Sequence, residues 1–151
     1  MNNNTDIFKL LPCSISQIIF ESNNDYTVAL SVDDEREIGL SLNNYDGSML
    51  TFADTGCADF SHINTIHQML LKFKASVGFK LQRAIIEAKY GDVIYCRLHW
   101  NHELKDIFNV CTIGDALILH TLSGCELFIA KNVADEFESF DTEGFIESYE
   151  N

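Results

Sequence analysis

Apolar and polar positions alternate along the first third of the chain, switch to a helical spacing, and then alternate again. Residues 14–20 (SISQIIF) read as a strand, and residues 21–25 as a polar turn. Tyr26, Val28, Leu30 and Val32 then alternate with small or polar partners, Asp33 and Asp34 make a second turn, and Ile38, Leu40 and Leu42 alternate once more. Successive side chains on a strand point to opposite faces, so the pattern predicts a three-strand antiparallel meander with one buried face. From Asn43 the period lengthens. Tyr45, Met49, Phe52 and Ala53 recur at three- and four-residue spacing, with Asn43 placed as an N-cap and Gly56 as a stop. Gly47 within this helix works against it, because glycine costs about 1 kcal/mol relative to alanine in a helix interior.

A second helix is predicted from the stripe of Ile63, Ile66, Met69, Leu70 and Phe73, with Lys72 and Lys74 complementing the negative end of its dipole and Gly78 closing it. The stretch from Val77 to Ala130 is specified most strongly. A strand over 79–89 turns at Tyr90, Gly91 and Asp92 into a strand over 93–100, where Ile94, Cys96, Leu98 and Trp100 share a core face. Residues 101–103 turn again into a strand over 104–111. Residues 113–122 form a helix whose run Ala116, Leu117, Ile118, Leu119 is apolar nearly all round, which predicts burial on most sides. Gly124 ends it and residues 126–130 close the unit as a strand. The expected fold is a single α+β domain in which mixed or antiparallel β-meanders pack with about three helices. It spans 12–137, between an N-terminal arm (1–11) and an acidic tail (138–151).

Composition refines this picture. With 151 residues, 46% of them hydrophobic and 22% charged, the chain suits one soluble domain with a real core. The net charge of -13 repels polyanions, so any contact with nucleic acid has to be local. Residues 131–151 carry seven acidic side chains against Lys131 alone, so much of that excess sits at the C-terminal end, where it could solubilise the chain or dock a basic protein partner. Five scattered cysteines without a C-x-x-C spacing predict buried free thiols in a reduced, cytoplasmic setting. No stretch has the length of a membrane span and residues 1–11 lack the pattern of a signal peptide, so no membrane association is expected. Meander edges and an apolar helix in so short a chain predict a homo-oligomer.

From Gly114 to Ile129 the chain reads GDALILHTLSGCELFI, which resembles the S-D-A-I-A-L-A-L-x-x-G-x-P-I-x-V segment of the bifunctional nuclease (BFN) domain family. Val77 and Gly78 through Ile86, then Gly91 and residues 94–98 (IYCRL), are similar to the family's L-G-x-x-V-x-x-V-x-I and G-x-F-Y-A-R-L pieces. Residues 42–56 resemble its I-G-x-x-E-A helix, with Asp46 at the glutamate position, and His67 falls where the family has the histidine of R-P-x-T-H. The resemblance covers roughly residues 14–136. It implies a small α+β protein that hydrolyses phosphodiester bonds in DNA or RNA. Both family arginines are replaced, by Ile63 and Thr112, which removes the groups best suited to gripping a phosphate with two hydrogen bonds.

The same resemblance nominates Asp46, His67 and Asp115 as catalytic residues. Asp46 and Asp115 would hold a divalent metal such as Mg or Mn, and His67 would act as acid or base. A bland use exists for each. Asp46 lies three residues after Asn43, His67 three after Asn64 and Asp115 three after Thr112, so all three suit the third position of a helix, where a carboxylate satisfies an orphan backbone N–H. His67 also borders the apolar stripe of the second helix and could simply be packed there. His62, His99 and His102 read as solvated, and Arg83 and Arg97 as outward-facing solubilising groups. The alternative to an enzyme is a regulatory or interaction module that keeps the fold without the chemistry.

Overall fold

The computed structural model describes residues 9–55 and 65–137. Seven strands form one mixed sheet: β1 (Leu10–Phe20), β2 (Tyr26–Val32), β3 (Arg36–Leu42), β4 (Lys80–Tyr90), β5 (Val93–Asn101), β6 (Asp106–Thr112) and β7 (Glu126–Ala130). Four helices accompany them: α1 (Asn44–Thr55), α2 (Ile66–Ser76), α3 (Ile113–Ser123) and the single turn α4 (Lys131–Ala134). The order across the sheet is β3-β2-β1-β7-β4-β5-β6. Each meander is antiparallel, and β7 joins them, antiparallel to β1 and parallel to β4. The last strand among the described residues therefore sits in the middle of the sheet, which fuses both halves into one α+β domain.

Local chemistry explains the hairpins. Asp33 and Asp34 both have positive φ (53° and 56°), which aspartate tolerates, and with Glu35 they turn β2 into β3 so that Val32 pairs with Arg36. Gly91 supplies the same freedom between β4 and β5 at φ 63°. Alternation then buries one face, with Val28, Leu30, Val32, Ile38 and Leu40 from the first meander and Leu81, Ile86, Cys96, Leu98 and Trp100 from the second. Against this face lies α3, with Ala116, Leu117, Ile118 and Leu119 buried as the sequence predicts. Each such Leu or Ile contributes about 1.5–3 kcal/mol of burial. Thr112 caps the start of α3 by accepting from the Asp115 N–H at 3.3 Å, and Gly124 ends it in the left-handed conformation at φ 72°. α1 and α2 flank α3 on either side.

Several boundaries differ from the sequence expectation. β1 begins at Leu10 rather than residue 14, because Leu10, Leu11 and Pro12 pair with β7, and Phe128, the partner of Pro12, lies 116 positions along the chain, where local patterning does not reach. β6 begins at Asp106, leaving Leu104 exposed in the turn. Gly47 is buried inside α1 because the Tyr26 ring packs where a Cβ would stand, so the residue that argued against the helix is there for clearance. On α2 the stripe is reversed: Ile66, Met69, Leu70 and Phe73 face outward, and His67 is the buried residue. Gly56, His62, Ile63, Asn64 and Cys57 lie outside the described residues. Cys13, Cys96, Cys111 and Cys125 are free thiols. Burial pushes Cys13 and Cys111 up to about 12 and raises Cys96 and Cys125 as well, so these thiols stay protonated and unreactive near neutrality. Among the described residues no helix is long and apolar enough to cross a membrane.

Candidate functional site at three helix starts

Each predicted site residue sits in the first turn of a helix. Asn43 accepts from the Asp46 N–H at 2.8 Å, which places Asp46 at the start of α1. Thr65, not Asn64, caps α2. Its hydroxyl accepts from the Gln68 N–H at 3.2 Å while the Gln68 side chain accepts from the Thr65 N–H at 2.8 Å, a reciprocal capping box. That cap moves His67 to the second helical position and turns its ring inward. Asp115 occupies the third position of α3, as expected.

The three starts converge through two contacts. His67 Nε2 lies 2.9 Å from Asp115 Oδ1. A carboxylate oxygen accepts, so this nitrogen donates and Nδ1 is left over, buried without a partner. Asp46 reaches the pair over Gly114, where any Cβ would collide with the Asp46 carboxylate and its own Cβ. Burial raises the Asp46 carboxyl above the usual carboxylate range, the like charge of Asp115 raises it further, and His67 partly offsets the rise. The result is a carboxyl that keeps its proton to higher pH next to a carboxylate held by a histidine. Three positive helix ends surround the group, each favouring negative charge by about 0.3–1 kcal/mol.

Beside the pair opens a cleft of about 410 Å³ between α2, α3 and the β5–β6 hairpin, bordered by His67, Asp115, Leu70, Lys74, Trp100 and Val110. Asp115 is nearly half exposed, whereas His67 is buried, so the carboxylate and not the ring meets solvent. This changes the part His67 can play: it orients Asp115 from behind. Among the described residues no three His, Cys, Asp or Glu side chains gather as a metal-ligand set. What remains for a divalent ion is the minimal set of Asp46 and Asp115, which fits a hard cation that takes its other ligands from water and substrate oxygens.

His99 and His102 depart from the solvated reading of the sequence. His99 is buried, stacked on Phe108 at 4.4 Å between ring centroids, and His102 packs on Phe79 at 4.6 Å. Arg97 donates to Glu87 at 2.7 Å on the opposite sheet face, and Arg83 lies against Phe128 there, so neither borders the cleft. Gly114, Trp100 and Lys74 belong to the site and were not singled out for it by sequence. Only the T-x-x-Q of Thr65 and Gln68 was legible as a helix start ahead of His67. The chain matches no protein-family model, and no curated protein matches it.

Proposed function

We propose that the three helix starts form a diverged phosphodiester-cleaving site acting on DNA or RNA. The observation that carries this reading is the convergence of Asp46, His67 and Asp115, three residues 69 positions apart at the extremes, into one cluster around the His67–Asp115 hydrogen bond. Two carboxyl groups in unlike environments divide acid from base. Asp115, oriented by His67, takes a proton from the attacking water. Asp46, which holds its proton more tightly, donates to the leaving oxygen. Backbone N–H groups at the helix starts and Lys74 in the cleft offer the positive potential that the replaced family arginines would have supplied. In place of the Asp46 proton, a divalent ion held by the ionised Asp46 and Asp115 would supply Lewis-acid stabilisation of the phosphoryl oxygens. The test is incubation of pure protein with single- and double-stranded DNA and RNA, with and without chelator. Cleavage that disappears in Asp115→Ala is expected, and no cleavage above that variant rejects the reading. Loss in chelator assigns the ion to the two aspartates, and persistence assigns Asp46 as the proton donor.

A second reading rests on separate features. Ile66, Met69 and Phe73 on α2, Val77 just past its end, and Phe108 and Val110 on the edge strand β6 are large, apolar and more than half exposed. An uncovered edge strand flanked by apolar side chains on both faces is suited to pair with a second copy of itself, which makes self-association a property of the domain whether or not it cleaves. Sedimentation should return a mass above one chain, lowered by Val110→Lys. A single-chain mass at all concentrations would end this second reading.

A further inference from the structure

We propose that the cleft beside Asp115 seats a flat aromatic group carrying hydrogen-bond acceptors, and that in a phosphodiester substrate this group is a nucleobase next to the scissile bond. The choice of nucleobase rests on the reading above; the aromatic character of the ligand rests on the cleft itself. Its walls are largely apolar, with Ile66 and Leu70 from α2, Leu98 and Trp100 from β5, Cys111 from β6 and Leu119 from α3. Its volume of about 410 Å³ falls within the range of about 300–1,000 Å³ typical of small-ligand sites.

Two buried nitrogens of its lining residues have no hydrogen-bond partner among the described residues, and a cation stands beside them. Trp100 is only 1% exposed, yet its indole N–H has no acceptor among the described residues. Indole nitrogen only donates, and a buried donor left unmet costs about 1–3 kcal/mol, so such a group calls for a ligand or water to complete it. His67 Nδ1, the acceptor nitrogen of the ring once Nε2 donates to Asp115, is buried and also has no partner among the described residues. The Lys74 ammonium lies 5.2 Å from the centroid of the Trp100 ring and 5.3 Å from that of Phe79, and no carboxylate of the described residues pairs with it. A cation held above aromatic faces rather than against an acid is available to an acceptor or an anion in a chain that is otherwise strongly acidic. Apolar walls with an indole donor, an imidazole acceptor and one cation suit a heteroaromatic ring with exocyclic oxygens. They do not suit a bare phosphate, which the apolar walls would desolvate without recompense.

Trp100 is the chain's sole tryptophan, so its emission reports on this cleft directly. The full chain, in chelator so that no turnover intervenes, is titrated with the four ribonucleoside monophosphates, and in parallel with inorganic phosphate and ribose 5-phosphate, which lack the ring. Calorimetry on the same mixtures reads binding independently of emission. The expected result is saturable binding of at least one nucleotide, with a change in Trp100 emission, and no saturable response to the two ring-free compounds. Lys74→Ala should weaken binding roughly ten-fold, the effect of losing one charged hydrogen-bond partner. Ile66→Glu, at an exposed position on the α2 wall whose change leaves the core alone, should block the cleft. Equal response to phosphate alone, no binding by calorimetry, or unchanged affinity in both variants overturns the proposal. Binding without cleavage retires the phosphodiester reading and keeps the cleft; cleavage without nucleotide binding does the reverse.

Discussion

His67 with Asp115 and His99 with Asp106 are nearly matched pairs that do different things. The side-chain exposures are 11% and 46% in the first and 10% and 45% in the second, so burial does not separate them. Geometry does. His67 Nε2 makes a 2.9 Å hydrogen bond to its aspartate, whereas His99 Nε2 lies 3.2 Å from Asp106 at an angle that makes none and counts as an unmet buried atom. Of the two descriptions of His99, proximity and absent hydrogen bond, the angle decides, because a misaligned donor has little bond energy. Setting separates them further. His99 stacks under Phe108 at the end of two paired strands, and Asp106 is tied to Asn101 Nδ2 at 3.0 Å. His67 and Asp115 come from two helix starts, face a third that carries Asp46, and border a cleft. A buried histidine beside an acid is therefore no site by itself; the second carboxyl group and the open cleft are what give the first pair something to act on.

The largest expected effect sharpens that contrast. His67→Ala should lower cleavage by about 10–100-fold, the usual cost of removing a group that orients a reacting side chain. His67→Gln, whose amide can still donate to Asp115, should recover part of the loss. His99→Ala should leave the rate unchanged. Equal losses at the two histidines would mean that both act through the fold, and the distinction would fall.

A smaller effect appears in stability against pH. The Asp46 carboxyl is raised in the folded protein, so the folded state binds that proton more tightly than the unfolded chain does. The stability this contributes is fully present below the unfolded carboxylate range, about pH 4, and is lost as pH rises through the folded value. Asp46→Asn, which cannot lose a proton, should therefore gain in Tm relative to the parent as pH is raised from about 4 to neutrality, by on the order of 1–3 °C because Asp46 is only partly buried. A flat difference across that range would show that Asp46 feels neither its burial nor Asp115.

Strands, turns and the oily helix α3 were legible because each follows from a short-range rule: alternation, a paired aspartate turn, a Thr cap and a Gly stop. The N-terminal end of β1 and the central place of β7 were not, since both depend on pairing between chain ends. The α2 stripe was read from its spacing, yet spacing does not say which face meets the core. There the capping box at Thr65 fixed the helix's rotation and sent His67 inward. Asp46, His67 and Asp115 could be nominated one by one. Their union could not, because it runs through Gly114, whose only message in sequence is the absence of a side chain.

The most direct measurement of the site's chemistry is the rate at which purified protein cuts short single-stranded DNA and RNA, set beside the Asp115→Ala protein prepared and folded identically. The account predicts measurable cleavage by the parent and none above background in the variant. Equal rates in the two, or no cleavage by either, would contradict it.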